Sequence, residues 1–356
     1  MFNSLLGKEI IALIRKTMKK ISVVILNWNG LGMLQRFLPG VVEHSCCEEV
    51  EVCVADNGST DDSCNWVKET FPNVRLIVFD KNYGFAEGYN LALQQVEAEY
   101  VVLLNSDVEV TPHWLEPMQA YMDTHPEIAA CQPKLRSEQD RAYFEYAGAA
   151  GGYLDKYGYP FCRGRIFEVV EKDFGQYDTI HPVFWATGAA LFVRLEDYLR
   201  VGGLDGRFFA HMEEIDFCWR LRSRGRGLVC IPQSVVYHVG AATLKKENPR
   251  KTFLNFRNNL LMLYKNLPEK DLNKVLWVRG VLDWIAAFVF FLKGERKSAQ
   301  AVFQARREFR RIRPDFAFSR AGNLAKATGR SIPEKVDYSI LWKFHACGKK
   351  VFSRLK

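Results

Sequence analysis

The sequence predicts an α/β protein, a mostly parallel sheet flanked by helices, with a C-terminal helical extension. Three observations lead there. Apolar, β-branched runs alternate four times with segments of helical spacing between residues 21 and 122. The first of these runs is apolar but for Ser22, as in strands buried on both faces. After residue 251 only helical spacing remains.

Residues 21–26 (ISVVIL) read as the first strand and 31–44 as its crossover helix. Residues 50–55 (VEVCVA) form a second strand. The helix over 61–71 is opened by Ser59, Thr60, Asp61 and Asp62, residues that cap helices and suit the positive end of the dipole. Strand 74–78 precedes helix 85–96, and strand 100–104 (YVVLL) precedes helix 112–122, with Pro112 in its first turn. Such alternation makes a parallel sheet. The rhythm breaks after Pro133. Residues 136–183, rich in Gly, Tyr and Phe, read as hairpins and loops covering a site. A strand at 189–193, a helix at 195–201, a turn at Gly202-Gly203, a helix at 214–224 and short strands at 227–231 and 235–237 follow.

The 356 residues are 48% hydrophobic and 25% charged, which excludes a disordered chain, a collagen or a rod. Nine cysteines without a C-x-x-C pair are neither a disulfide framework nor a zinc site, and point to a reducing compartment, the cytoplasm. The net charge of +8 hides an asymmetry: residues 245–356 hold 26 of the 49 Lys+Arg and 9 of the 41 Asp+Glu. A basic tail on an acidic body suits an anionic partner, nucleic acid or a membrane surface. Residues 1–20 are an N-terminal extension, basic but without a clean signal-peptide core, and Met18 is an alternative start.

In an open parallel sheet, ligands bind beyond the carboxyl ends of the strands. Here four successive ends are polar: Asn27-Trp28-Asn29-Gly30, Asp56-Asn57-Gly58-Ser59-Thr60-Asp61, Asn82-Tyr83-Gly84-Phe85 with Asn90 beyond it, and Asn105-Ser106-Asp107. Each alone is an ordinary turn or cap, but four on one sheet edge make a crevice. No G-x-G-x-x-G or G-x-x-x-x-G-K-[ST] loop accompanies them. Asp107 suits a hard cation, Mg²⁺ or Mn²⁺. Glu213, Glu214 and Asp216 either complement a helix dipole or supply a general base. His238, closing Tyr237-His238-Val239-Gly240, is a core histidine or a metal ligand.

Taken together, ISVVILNWNG, ADNGSTDDS, NYGFAEGYN, VVLLNSDVEV, ATGAALFVR, GGLDGRFFAHMEEIDFCWRLRSRG and VVYHVG resemble family 2 glycosyltransferases with a GT-A fold, in the rhamnosyltransferase-like, single-addition branch. The likeness spans 21–243, marking a GT-A catalytic domain, and continues loosely through FRNNLLMLYKNLP. It implies that Asn27 and Asp56 hold the nucleotide base, and that Asn82, Gly84 and Asn90 line the nucleotide and sugar. Asn105-Ser106-Asp107 falls at the family's D-x-D, with Asp107 and His238 as metal ligands. Glu214 falls where the family usually has the Asp that activates the acceptor hydroxyl, and Glu213 and Asp216 stand as competitors. Two departures are plain: Asn105 replaces the first acid of D-x-D, and the base is Glu. The Q-x-x-R-W motif of processive synthases is absent.

The resemblance thus implies an inverting, non-processive transferase that moves a sugar from a nucleoside-diphosphate sugar to a glycan or lipid-linked oligosaccharide, with Mg²⁺ or Mn²⁺, in bacterial surface polysaccharide synthesis. A sugar nucleotidyltransferase of similar fold and a non-catalytic membrane-bound module are the alternatives. Residues 244–356 form a basic, aromatic-rich helical region. Within 275–292, Trp277, Trp284, Phe288, Phe290 and Phe291 suit the headgroup boundary, while Arg279 and Asp283 interrupt the run. The nine apolar residues left span about 14 Å as a helix, short of the ~30 Å hydrocarbon core. Peripheral attachment to the inner face of the plasma membrane is expected. The aromatics lie in apolar runs rather than along a basic groove, which argues against nucleic acid.

Overall fold

The computed structural model describes residues 19–45, 47–240 and 248–355. The N-terminal extension and the junction at 243/244 therefore lie outside the described residues, save Lys19 and Lys20, which open the first strand. β1 (Lys19–Asn27), β2 (Val50–Asp56), β3 (Arg75–Val78) and β4 (Ala98–Asn105) alternate with α1 (Leu31–Ser45), α2 (Ser63–Thr70) and α3 (Gly84–Leu93). β1 lies between β2 and β4, parallel to both, and β3 is parallel to β2. Successive residues point to opposite faces: Val24 and Leu103 join one apolar cluster, while Val23, Ile25, Val102 and Leu104 join the other. Burial on both faces is why these strands read as unbroken apolar runs.

β5 (Val108–Val110) and α4 (Glu116–Thr124) follow. Pro117, not Pro112, is the proline of the first turn of α4. β6 (Ile128–Ser137) runs straight through Pro133, where the sequence rhythm breaks. Its polar residues are satisfied inside: the Thr187 amide donates to Gln132 Oε1 at 3.0 Å, and Lys134 pairs with Asp173 at 2.8 Å. The loop region contains a small antiparallel sheet of β7 (Gly152–Leu154), β8 (Pro160–Cys162), β9 (Arg165–Ile166) and β10 (Val169–Val170). β11 (His181–Pro182) and β12 (Ala190–Arg194) return to the main sheet, and β12 inserts antiparallel between β4 and β6. The two short strands expected at 227–231 and 235–237 are one strand, β13 (Gly227–His238), parallel to β6 with a break in register between Ile231 and Val235.

α5 (Leu195–Val201) and α6 (Glu213–Ser223) flank the sheet, and α7 (Pro249–Asn266), α8 (Glu269–Leu292), α9 (Arg296–Ile312) and α10 (Ala317–Ala325) complete the helices. Leu260, Leu261, Leu263, Val275 and Phe309 belong to the same apolar cluster as Val24, Leu103 and Phe217. The C-terminal helices therefore share a core with the sheet instead of forming a layer of their own.

α8 is amphipathic in an inverted sense. Trp277, Val281, Trp284, Ile285, Phe288 and Leu292 are exposed, while Arg279 and Asp283 are buried. Asp283 pairs with Arg279 on its own helix and with Arg306 of α9. The expected interruption by Arg279 and Asp283 is corrected here: both turn inward, and the outer apolar face continues past them.

Candidate active site

The crevice begins at the ends of β1 and β2, where Asn27 and Asp56 are register partners. Asn27 Nδ2 donates to Asp56 Oδ1 at 2.9 Å and to Ser59 Oγ at 3.2 Å, and the Ser59 amide donates to Asp56 Oδ2 at 2.9 Å. Both side chains are fully buried, and Asn27 Oδ1 has no partner. That oxygen faces Gly30, where a Cβ would come within 2.5 Å of it.

Asn57 had no role in the sequence reading, yet it joins two strand ends. Its Oδ1 accepts from the Tyr83 amide at 2.9 Å, and its Nδ2 donates to Asn82 Oδ1 at 3.1 Å and to the Gly84 carbonyl at 3.0 Å. Asn82 Oδ1 also accepts from the Gly84 amide at 2.7 Å. Gly84 has φ +82°, and a Cβ there would lie 2.8 Å from the Phe209 ring. The position requires glycine on both counts. Only its hydrogen bonds reveal Asn57, since in sequence it is one more turn asparagine.

Asn90 is a correction. Its Oδ1 accepts from Tyr198 Oη at 2.8 Å and the Leu204 amide at 3.0 Å, while its Nδ2 donates to the Leu204 carbonyl at 2.8 Å and to Glu87. Its polar atoms are committed to Glu87 on α3, to Tyr198 and to the turn after α5, so Asn90 shapes that turn.

Asn105, Asp107 and His238 do come together. β5 pairs with β13 so that His238 stands opposite Val108, next to Asp107. His238 Nε2 lies 3.1 Å from Asp107 Oδ1 and 3.5 Å from Asn105 Nδ2, and Nδ1 lies 3.4 Å from Glu145 Oε1. Burial works to lower the His238 pKa, but the Asp107 and Glu145 carboxylates beside it outweigh burial and push it up to about 10. Glu145, buried in the loop region, is a partner that motif reading missed. The Asp107 carboxylate suits Mn²⁺ or Mg²⁺ chemically, and the His238 imidazole joins it as a ligand only on giving up its proton. Among the described residues no group of three His, Cys, Asp or Glu side chains could hold a metal ion. A cation would therefore also need substrate oxygens or water.

Glu213, Glu214 and Asp216 open α6 but differ sharply in surroundings. Asp216 is 0% exposed and binds Arg220 at 3.0 Å, Lys265 at 2.7 Å and Asn266 at 2.8 Å. It is a structural carboxylate, and its candidacy as base is corrected accordingly. Glu213 is buried, and burial, reinforced by the neighbouring Glu214 charge, holds its carboxyl well above the usual range. Glu214 is half-buried, its Oε2 buried and unpartnered as Glu213 Oε2 also is, and burial raises its pKa against the pull of backbone amides at the helix start. It lies beside Gly188, where a Cβ would stand 3.7 Å from Glu214 Cβ. The next carbonyl, of Ala189, accepts from the Asn105 amide at 2.9 Å. One short segment thus links Glu214 to the Asn105–Asp107 end of β4.

The eight described cysteines are all free. Residues 22–181 match the family model described as Glycosyl transferase family 2. An N-acetylglucosaminyl-diphospho-decaprenol L-rhamnosyltransferase of Mycobacterium tuberculosis is 27% identical over 232 residues, 61% of this chain and 75% of that protein. The rhamnosyltransferase WbbL of Escherichia coli is 26% identical over 163 residues, 44% of this chain and 61% of that one. Among solved structures, GalNAc-T7 with UDP, GalNAc and Mn²⁺ superposes with a TM-score of 0.55 at 15% identity, over 70% of this chain and 48% of that chain. With the strand order, the polar strand ends and the family match in place, residues 22–181 are similar to glycosyl transferase family 2, and the chain has the GT-A fold.

Proposed function

We propose that this enzyme is an inverting, non-processive transferase that moves a sugar from a nucleoside-diphosphate sugar to a hydroxyl of a lipid-linked glycan, in bacterial surface polysaccharide synthesis. The observation that carries the reading is Glu214, a half-buried residue beside the β4 end whose buried Oε2 has no partner. The relatives named above, one of them acting on a diphospho-decaprenol acceptor, support the acceptor class.

Glu214 takes the proton from the acceptor hydroxyl as that oxygen attacks the anomeric carbon. The bond from that carbon to the diphosphate oxygen breaks, and the diphosphate leaves with the electron pair. Attack comes from the face opposite the leaving group, so the configuration inverts. Asn27, Asp56, Asn57, Asn82 and Gly84 form the floor for the nucleotide, already bonded to one another before it arrives. Asp107 and His238, with Asn105, would hold a divalent cation, and such a cation neutralises charge on the departing diphosphate. Mn²⁺ in GalNAc-T7 supports this choice of metal.

Binding of UDP-, dTDP- and GDP-sugars, measured by calorimetry with Mn²⁺ present, tests the donor class. Asp56→Ala is expected to weaken the best binder by about 1–3 kcal/mol, the scale of a lost buried hydrogen-bond partner. Equal affinity in Asp56→Ala and wild type would remove Asp56 from the donor site.

The outer face of α8 is assigned to an anionic lipid surface on the cytoplasmic side of the membrane. Among the described residues it is the one helix long and apolar enough to cross a membrane, and its 24 residues reach about 36 Å. Arg279 and Asp283, paired inward, instead fix it flat on the enzyme. Exposed cations Lys293, Arg296 and Lys297 stand at its end, where anionic headgroups favour them. Trp284 and Phe288 are 63% and 61% exposed and contribute little to the fold. Replacing both with Glu is expected to cut flotation with phosphatidylglycerol vesicles at least about tenfold while leaving the melting temperature near wild type. Wild-type protein that ignores such vesicles would sink the assignment.

A further inference from the structure

The loop that leads into α6 holds an unusual run of backbone conformations. Phe209 (φ 68°, ψ −61°), His211 (φ 71°) and Met212 (φ 72°) are all left-handed without being glycine. The Ala210 amide donates to the Phe208 carbonyl at 2.9 Å, closing a γ-turn of the rare hand about Phe209. Residues in such regions persist only where the surroundings over-determine them.

The surroundings here come from α7. Asn258 is fully buried, and its Nδ2 lies 3.0 Å from the Phe208 carbonyl, 2.8 Å from that of Ala210 and 2.8 Å from that of His211. Its Oδ1 accepts from Arg257 Nε at 2.9 Å, which orients the amide, and Arg257 also donates to the Phe208 carbonyl at 3.1 Å. Carbonyls that a left-handed run turns away from any ladder thus find a shared donor. A buried backbone acceptor without one would be costly.

The loop touches both halves of the crevice. The Phe85 amide donates to the Phe209 carbonyl at 3.1 Å, and the Phe209 ring covers Gly84 on the nucleotide side. At its other end the Met212 carbonyl accepts from the Asp216 amide at 2.9 Å, forming the first turn of α6. The shape of 208–212 therefore sets where α6 starts and which way Glu214 points.

We infer that Asn258 is a positioning residue for sugar transfer: its side-chain amide holds the left-handed 208–212 loop so that α6 presents Glu214 beside the β4 end. The inference rests on Glu214 as the base. Asn258 touches neither substrate nor the reacting atoms and acts through the loop alone.

The test uses the full chain. In Asn258→Ala, hydrogen–deuterium exchange at the amides of 208–214 is expected to speed up at least about tenfold, while the β1 and β4 amides keep their protection. With whichever of the UDP-, dTDP- and GDP-sugars the wild type turns over, kcat is expected to fall about ten- to a hundredfold, since small misplacement of a reacting group has that scale of effect. KM for the sugar nucleotide should stay within about twofold. Asn258→Ser, a shorter single donor, should fall between. His211→Gly keeps its carbonyl and adopts positive φ without steric cost, so adding it to Asn258→Ala should restore part of the lost kcat. Unchanged loop exchange, loss of protection across β1 and β4 together with the loop, or no recovery in the double variant would each overturn the inference. Glu214→Gln run alongside separates the two readings. If it stays active, the base assignment fails while the exchange result still judges the loop. If it is dead and Asn258→Ala is fully active, only the positioning role fails.

Discussion

Glu214→Gln is expected to lower transfer by about 10²–10⁴-fold, the usual worth of a positioned general base, and to leave sugar-nucleotide binding intact. The amide keeps the shape of the side chain and cannot take a proton. Because burial raises the Glu214 pKa, the sign of the pH dependence follows. The ionised form is the active one, so kcat/KM should climb with pH through an acidic limb lying above the ordinary glutamate value of about 4.3, then level off. The Gln variant should lose that limb. Glu213→Gln should do less, because burial and the adjacent Glu214 keep the Glu213 carboxyl well above the normal range. Asp216→Asn should act on stability instead, since Arg220 would be left a buried charge without its carboxylate and Lys265 with Asp205 alone. Breaking a buried pair in that way costs about 3–5 kcal/mol, and a melting curve would show it. Near wild-type turnover in Glu214→Gln would move the base to another group.

The second large effect concerns the Asp107–His238 pair. Excess EDTA is expected to abolish transfer, and added Mn²⁺ to restore it. Asp107→Ala and His238→Ala should each raise the Mn²⁺ needed for half-maximal rate by at least about tenfold, a loss that even outer-shell partners of a metal can produce. Removing either side chain takes away one of the two strongest donors that the register of β5 against β13 brings together. Full activity in EDTA would refute this site.

How much of this was legible depended on what each residue type reveals about itself. β1, β2 and β4 were legible because a strand buried on both faces writes an apolar run. β6 was not, because Gln132, Pro133 and Lys134 break the run, and the structure satisfies them with Thr187 and Asp173, groups remote in sequence. The four polar strand ends were placed on one edge by topology alone. Side-chain direction was not available: Asn90 and Asp216 look like their neighbours in the motifs, yet one serves the turn after α5 and the other a cluster with Lys265. Asn57, Glu145 and Asn258 were invisible for the complementary reason, being known only by their partners.

The core shared between the sheet and the C-terminal helices bears on how this enzyme can be re-engineered. Asn259, next to Asn258 on α7, donates to the Gly158 carbonyl at 2.7 Å and accepts from Arg279 of α8. The helix that carries the exposed aromatic face is thus bonded directly to the β7–β8 turn, where Arg279 donates to the Tyr157 carbonyl at 3.0 Å, and through Asn259 it reaches the residue next to the amide that holds the 208–212 loop. A chimera joined between β13 and α7 would import a foreign clamp along with a foreign surface. Exchange of acceptor or membrane preference between such enzymes is therefore better sought by repainting the outer face of α8, residue by residue, than by grafting the C-terminal region as a cassette.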